Sequence, residues 1–179
     1  MQQKSLKKNS ILNVIKTLSG IIFPLITFPY ISRVLLPTNV GKVNFGSSFI
    51  SYFSMIASLG ITTYAIRECS AVSNDKEKLG KKSSEIFSIN VCTTIVAYLL
   101  LAIALMAFRK LDVYRTLIII QSTSILFTTL GTDWLNTAME DFKYITIRTV
   151  LFQVLSLILM FIFVREETDY LKYAAISVF

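Results

Sequence analysis

Long apolar runs alternate with short charged segments along most of the chain. A helix needs about 20 mostly apolar residues to cross a bilayer, and five of the runs reach or approach this length. A sixth run has only begun where the sequence ends. The pattern predicts an all-α fold, a polytopic transmembrane helix bundle with five full spans and the start of a sixth. The predicted spans are residues 11–34, 43–66, 86–108, 116–135, 145–164 and, incomplete, 173–179.

Composition also places the chain among membrane proteins. Of its 179 residues, 54% are hydrophobic and 16% are charged, whereas a globular domain averages about 45–50% and roughly 25%. The loops are short, and the longest, residues 67–85, has the polar composition of a solvated connection. Because the last apolar run is too short to span a bilayer, we expect residues 1–179 to be the partial N-terminal transmembrane lobe of a longer protein.

The charged residues and the cysteines narrow the function classes. A net charge of +7 would suggest a nucleic-acid partner for a soluble domain, but here the basic residues flank apolar runs, so we expect no nucleic acid to bind. The sequence has no histidine, which is the commonest general base and metal ligand. Cys69 and Cys92 do not have the spacing of a zinc site. We therefore expect neither a metal nor a cofactor.

Lysine and arginine are distributed unequally between the two sides of the predicted bundle. Eleven of the 18 basic residues lie in or near segments on the side of the N-terminus, and seven lie on the opposite side. Short cytoplasmic loops of membrane proteins carry an excess of Lys and Arg. We therefore expect a multi-pass membrane protein whose N-terminus is cytoplasmic.

Hydroxyl and amide side chains form stripes at helical spacing on three predicted spans. Such a stripe can mediate helix packing, since small residues let backbones approach closely, or it can line a water-filled pathway. The sequence leaves both interpretations open. The stripes comprise Asn44, Ser47, Ser51, Ser54, Ser58 and Thr62 in the second span, Gln121, Ser124, Thr128 and Thr132 in the fourth, and Thr149, Gln153 and Ser156 in the fifth.

The first span contains two interior prolines, Pro24 and Pro29. Proline removes one hydrogen bond of the helix, and membrane helices tolerate it where hydroxyls, water or neighbouring helices satisfy the freed carbonyls. Thr27 is a candidate hydroxyl for this purpose. The two prolines predict a span that is bent or locally unwound, as in many transporters, or else a kink that only serves packing.

Charged residues inside or at the ends of spans are candidates for a substrate pathway. Lys16 lies about one turn inside the first span, where an ammonium faces a protein interior or an aqueous cavity, or snorkels to the interface. Arg33, Arg67, Arg148 and Asp133 lie at span ends, where the alternative role is interfacial anchoring.

Three segments carry a resemblance to a known family. They read FPLITFPYISRVLLPTNVGKVNFG, ISYFSMIASLGITTYAIRE and DWLNTAMEDFKYITIR. They resemble the N-terminal half of bacterial Wzx-type oligosaccharide flippases of the multidrug/oligolipid/polysaccharide exporter superfamily, and the resemblance extends over about residues 9–179. Residues 135–138 depart from the family, since Leu, Asn, Thr and Ala replace its usual aromatics, glutamine and glycine. The motif residues are Pro24, Pro29, Pro37, Trp134 and Glu140.

The resemblance implies two six-helix lobes around a central cavity that opens alternately to each side of the bacterial inner membrane. The implied cargo is an undecaprenyl-pyrophosphate-linked oligosaccharide for O-antigen or capsule assembly. Charge movement or ion coupling would supply the driving force, and no residue identifies the ion. The lipid bilayer is the implied environment, with a polysaccharide polymerase and chain-length machinery as further partners. This chain alone is expected to be inactive. The hypothetical pathway residues are Lys16, Arg33, Asn44, Ser51, Arg67, Asp133 and Arg148.

A membrane-embedded enzyme of polysaccharide biosynthesis, such as a polymerase or glycosyltransferase, is the alternative. It would need an acidic DxD-type motif, a histidine or a long catalytic loop, and the sequence has none of these. Glu140 and Asp141 form a tight acidic pair beside Lys143, which is more typical of a charged helix start than of a catalytic pair. We therefore expect a transporter and not an enzyme.

Overall fold

The structure, a computed structural model, describes residues 6–178, and the regular elements in that range are all helical. Five stretches are long and apolar enough to cross a membrane, so the predicted all-α polytopic bundle is confirmed. The helices are α1 (Leu6–Val34), α2 (Leu36–Ser58), α3 (Ile61–Ala71), α4 (Lys76–Ala107), α5 (Arg115–Gly131), α6 (Asp133–Ala138), α7 (Phe142–Phe163) and α8 (Tyr170–Ser177). Short 3-10 turns cover Arg109–Tyr114 and Glu167–Asp169.

Two of the membrane-spanning stretches are each made of two helices. The second breaks between α2 and α3, where Leu59 and Gly60 have φ angles of 36° and 74°. The fourth breaks between α5 and α6, where Thr132 has a φ of 42°. Positive φ is free of steric cost only for glycine, so the other two residues are held there by their surroundings. The predicted spans 43–66 and 116–135 therefore each contain a break between two helices.

The first span, in contrast, is helical throughout, and both prolines lie inside α1. The expected local unwinding is absent from this helix. The prolines withdraw donors from the carbonyls of Gly20 and Leu25, four residues before each. Thr27 does not replace those donors, because its hydroxyl donates to the carbonyl of Pro24 at 3.4 Å.

The chain turns sharply between α1 and α2, just after this proline-containing helix. Leu36 opens α2 with a φ of 60°, and Pro37 follows within the first turn, a position where a missing backbone N–H costs no helix bond. Pro37 therefore has a local structural role at this corner.

The central core lies where α2 packs against α4 and α5. Ile50, Ala97 and Ile118 are fully or almost fully buried there, one from each of these helices. Helix α1 packs mainly against α7, and α8 contacts α2, α5 and α7. Large apolar side chains on the outer faces of α1, α4 and α7 are exposed, as a bilayer-embedded bundle requires.

A second core occupies the end of the bundle at which α1 begins, called here the N-terminal side. Helices α3 and α6, which follow the two breaks, pack against each other and against the start of α4. Cys69, Ile86 and Trp134 are buried between them. We call these three segments the tip unit.

At the opposite side, hydrogen bonds tie the α1–α2 corner to the connection between α7 and α8. Tyr30 donates to the carbonyl of Val164 at 2.8 Å, and Asn39 donates to the carbonyl of Glu167 at 2.8 Å. Asp169 closes the connection itself. Its pKa is lowered to about 2 by Lys172, which lies 2.7 Å away, and by two backbone N–H donors.

Candidate functional site

A cavity of about 630 Å³ lies between α3, α5, α6 and α7, in the half of the bundle nearer the N-terminal side. This is within the range of about 300–1,000 Å³ of ligand pockets. We call it the groove. Its polar lining residues are Thr62, Ser124, Thr128, Asp133 and Arg148, and Phe127, Trp134 and Phe152 provide aromatic walls.

An ion pair lies on the wall of the groove. Asp133 is the first residue of α6, immediately after the break at Thr132, and Arg148 lies in the second turn of α7. The Arg148 guanidinium pairs with the Asp133 carboxylate and also donates to the carbonyl of Gly131 at 3.4 Å. The ring of Tyr144 lies 5.6 Å from the guanidinium carbon. These contacts fix the orientation of the arginine.

Arg148 keeps binding capacity in spite of these contacts. Its side chain is 26% exposed, and that of Asp133 is 54% exposed. A guanidinium has five N–H donors in a planar fork, and only two of its nitrogens are used by Asp133 and Gly131. The arrangement can therefore accept a further anion, particularly a bidentate one.

Arg148 also borders a second cavity, of about 340 Å³, between α1, α7 and α8. The stripe predicted for the fifth span, Thr149, Gln153 and Ser156, lines it together with Thr27 of α1. The second cavity adjoins an apolar groove of about 380 Å³ between α1 and α7, since Phe23 and Gln153 line both. An arginine, a hydroxyl-rich cavity and an apolar groove are thus contiguous.

The structure brings together only part of the predicted pathway set. Asp133 and Arg148 form the ion pair, and Trp134 lies beside them in the groove wall. The other five residues do not line the groove or the second cavity. These are Lys16, Arg33, Asn44, Ser51 and Arg67.

Each of these five residues has a separate local environment. Lys16 is half-buried in α1, and Arg33 is exposed at the end of that helix. Asn44 and Ser51 are exposed on α2, where the Ser51 hydroxyl donates to the carbonyl of Ser48 at 2.7 Å. Arg67 pairs with its neighbour Glu68 at 3.2 Å on the surface of α3. Their separation in space gives them no shared site in this structure.

The predicted stripes divide between packing and cavity lining. Gln121 is buried and donates to the Ser47 hydroxyl at 2.9 Å and to the carbonyl of Val43 at 3.1 Å, so it joins α5 to α2. Nearer the N-terminal side, Thr62 and Thr128 face the groove. Helix packing thus accounts for part of the stripes, and other members line a cavity at a different depth of the bundle.

The turn between α6 and α7 contains the remaining motif residue. Glu140 is exposed and has a φ of 54°. Asp141 caps α7 by accepting from the backbone N–H of Tyr144 at 3.4 Å. The acidic pair thus lies at a helix start. Within the divergent residues 135–138, Ala138 is buried in the tip unit.

Sequence reasoning missed the aromatic walls of the groove. Phe127 and Phe152 lie on α5 and α7 and line the same cavity only in the folded bundle. Their apolar character within apolar spans carries no signal in the sequence. Within residues 6–178, the structure contains no group of three or more Cys, Asp or Glu side chains placed to hold a metal ion.

Comparisons with known proteins identify the family. The family model described as "Polysaccharide biosynthesis protein" matches residues 6–179. The chain is also 27% identical over 169 residues to a protein of Escherichia coli (strain K12) named "Putative O-antigen transporter"; the match covers 92% of this chain and 40% of that protein. No solved structure matches the chain. In agreement with the resemblance of its motifs, the chain belongs to the polysaccharide biosynthesis protein family.

Proposed function

We propose that the chain is a transmembrane lobe of a flippase. Its cargo would be an undecaprenyl-pyrophosphate-linked oligosaccharide repeat unit, moved across the bacterial inner membrane by alternating access. The observation that carries this proposal is Arg148, a partly buried arginine that borders both the groove and the second cavity. Family membership and the name of the E. coli relative support transport of a polysaccharide precursor.

The chemistry of the three contiguous cavities matches the three parts of such a cargo. A pyrophosphate is a multivalent anion, and Arg148 offers it bidentate hydrogen bonds in surroundings drier than bulk water. The hydroxyl and amide groups of the groove and second cavity suit the hydroxyls of a glycan. The apolar groove between α1 and α7 suits an isoprenoid chain, because its lining is almost entirely hydrocarbon.

Photo-crosslinking tests the assignment directly. The chain is reconstituted in nanodiscs with undecaprenyl-pyrophosphate-linked oligosaccharide that carries a photoreactive group next to the pyrophosphate. We expect the crosslinks to fall on α5, α6 and α7 around Arg148. Competition by unlabelled lipid-linked oligosaccharide should remove them. Crosslinks confined to the outer, lipid-facing surface of α4 would contradict the proposal.

The same incubation separates a flippase from the alternative of a membrane-embedded enzyme. A transporter leaves the bonds of its cargo unchanged, so the lipid-linked glycan extracted afterwards should have its original length. A polymerase or glycosyltransferase would lengthen it when donor substrate is added. A lengthened glycan would favour the enzyme.

The proposal also includes an orientation of the bundle in the membrane. Because most Lys and Arg residues lie on the N-terminal side, we expect this side to be cytoplasmic, and the groove lies nearer to it. In a background with Cys69 and Cys92 replaced by alanine, Ser83→Cys at the start of α4 should resist an impermeant thiol reagent in intact cells, whereas Asp112→Cys in the 3-10 turn should be labelled. The reverse labelling pattern would show that the orientation is wrong.

A further inference from the structure

A small polar cavity lies at the junction between the central core and the tip unit. Its volume is about 30 Å³, enough for one water-sized group. It shares Thr62, Thr128 and Trp134 with the groove, so the two cavities adjoin. The breaks in the second and fourth spans lie beside it, since α2 ends at Ser58 and α5 ends at Gly131.

Trp134 lines this cavity and carries an N–H donor that lacks an acceptor. The residue is 4% exposed, and its Nε1 is buried with no hydrogen-bond partner among the residues that the structure describes. Tryptophan N–H groups normally find a partner when they are buried, and leaving one unmade costs about 1–3 kcal/mol. A bound group that supplies an oxygen would remove this cost.

The hydroxyl groups that line the cavity indicate which chemical group could bind there. Ser58 and Thr128 donate their protons to backbone carbonyls of their own helices, at 3.0 and 2.8 Å. Each hydroxyl oxygen keeps lone pairs that can accept a hydrogen bond. Asn90 also lines the cavity, and its side-chain amide carries further donors and an acceptor. The cavity thus offers N–H donors from Trp134 and Asn90 together with several acceptor oxygens. An alcohol or a water molecule suits this mixture, because it can accept from an N–H group and donate to a hydroxyl oxygen.

We propose that this cavity is a subsite for one hydroxyl group of the transported glycan, with Trp134 as the specificity-determining donor and Thr128 as an acceptor. The inference rests on the proposed function, because the glycan reaches the cavity through the groove. A water molecule has the same hydrogen-bonding chemistry and occupies the subsite before the glycan binds. The pyrophosphate is held separately, by Arg148.

Intrinsic fluorescence tests this subsite, because Trp134 is the only tryptophan in the chain. The chain in nanodiscs is titrated with undecaprenyl-pyrophosphate-linked oligosaccharide and, in parallel, with undecaprenyl pyrophosphate that lacks the glycan. We expect a saturable shift of the tryptophan emission with the first lipid only. The subsite would be refuted by an equal response to both lipids. It would also be refuted by the lack of any response while the photo-crosslinks around Arg148 are present. Neither result would contradict the proposed function. A change of emission on exchange into D₂O with no response to the glycan would show a water site only and would also overturn it.

A matched pair of variants locates the contact. Thr128→Val keeps the shape of the side chain and removes the acceptor, so the affinity for the glycan-bearing lipid, read from the same fluorescence, should fall about three- to tenfold, the worth of one neutral hydrogen bond. Affinity for undecaprenyl pyrophosphate, measured by competition with the photo-crosslink, should not change. Thr123→Val, on the same helix but outside the cavity, should bind both lipids as the unmodified chain does. Equal affinities of the two variants for the glycan-bearing lipid would refute the role of Thr128.

Discussion

Replacing Arg148 with alanine should weaken binding of the pyrophosphate-bearing lipid by at least about tenfold. The expected loss follows from hydrogen bonds to charged groups, which contribute about 1.5–3 kcal/mol, and Arg148 is the arginine that borders both polar cavities. Arg148→Lys should recover only part of the affinity, because an ammonium carries the charge without the bidentate fork. The measurement is the concentration of lipid that half-saturates the photo-crosslink.

Replacing Asp133 should have the opposite effect on lipid binding. Its carboxylate competes with an anionic cargo for the same guanidinium, so Asp133→Asn should raise the affinity for the lipid. The double variant with Arg148→Ala should bind as weakly as Arg148→Ala alone.

Arg67 is the matched control for Arg148. It also pairs with a carboxylate, that of Glu68, and lies 5.9 Å from the ring of Tyr64, but it is on the outside of α3. Arg67→Ala should leave binding unchanged. If Arg67→Ala and Arg148→Ala weaken binding equally, the effect is one of overall charge, and the groove is not the anion site.

Gly46→Ala should destabilise the bundle by about 2–4 kcal/mol. A Cβ at this position would overlap the Oε1 of Gln121 and approach Leu117 Cδ2 to 3.2 Å. Overpacking of a well-packed interior costs about 1–3 kcal/mol, and displacement of Gln121 would also lose its bonds to Val43 and Ser47, at about 1 kcal/mol each. The higher helix propensity of alanine offsets about 1 kcal/mol of this loss. Unfolding of the purified protein in mixed detergent micelles with increasing SDS measures the loss.

The same helix offers a control for this substitution. A Cβ added at Gly41 would meet no atom within 4 Å, so Gly41→Ala should be neutral or stabilise by up to about 1 kcal/mol through helix propensity. Shortening the glutamine in Gly46→Ala/Gln121→Ala should remove the overlap and recover part of the lost stability. Equal stabilities of Gly41→Ala and Gly46→Ala would contradict the close approach of α2 and α5.

Hydropathy was sufficient to predict the helical class and the five spans, because burial in hydrocarbon requires long apolar segments with internally satisfied backbones. It did not predict where the spans break. Pro24 and Pro29 carry the strongest sequence signal for an interruption, yet α1 is continuous. The breaks occur at Leu59–Gly60 and at Thr132. Gly60 suits a positive φ, but Leu59 and Thr132 do not, so local propensity alone does not account for their conformation.

The candidate site was only partly predictable for a related reason. Asp133 and Arg148 stood out as charges at span ends, but so did Arg33 and Arg67. What separates them is position in three dimensions. The break at Thr132 directs the chain into α6 so that Asp133 meets α7, and no spacing along the sequence reports that contact.

The tip unit also constrains the order in which the chain can complete its structure during synthesis. Helix α3 ends at Ala71, but its partner α6 begins only at Asp133. At about 5–20 residues per second, the ribosome needs roughly 3–12 s to add the intervening segment. During that interval the apolar surface of α3 that later covers Trp134 has only the start of α4 to pack against. The second span is thus synthesised well before α6 can cover α3 at its end. The tip unit can pack completely only after the fourth span has been made.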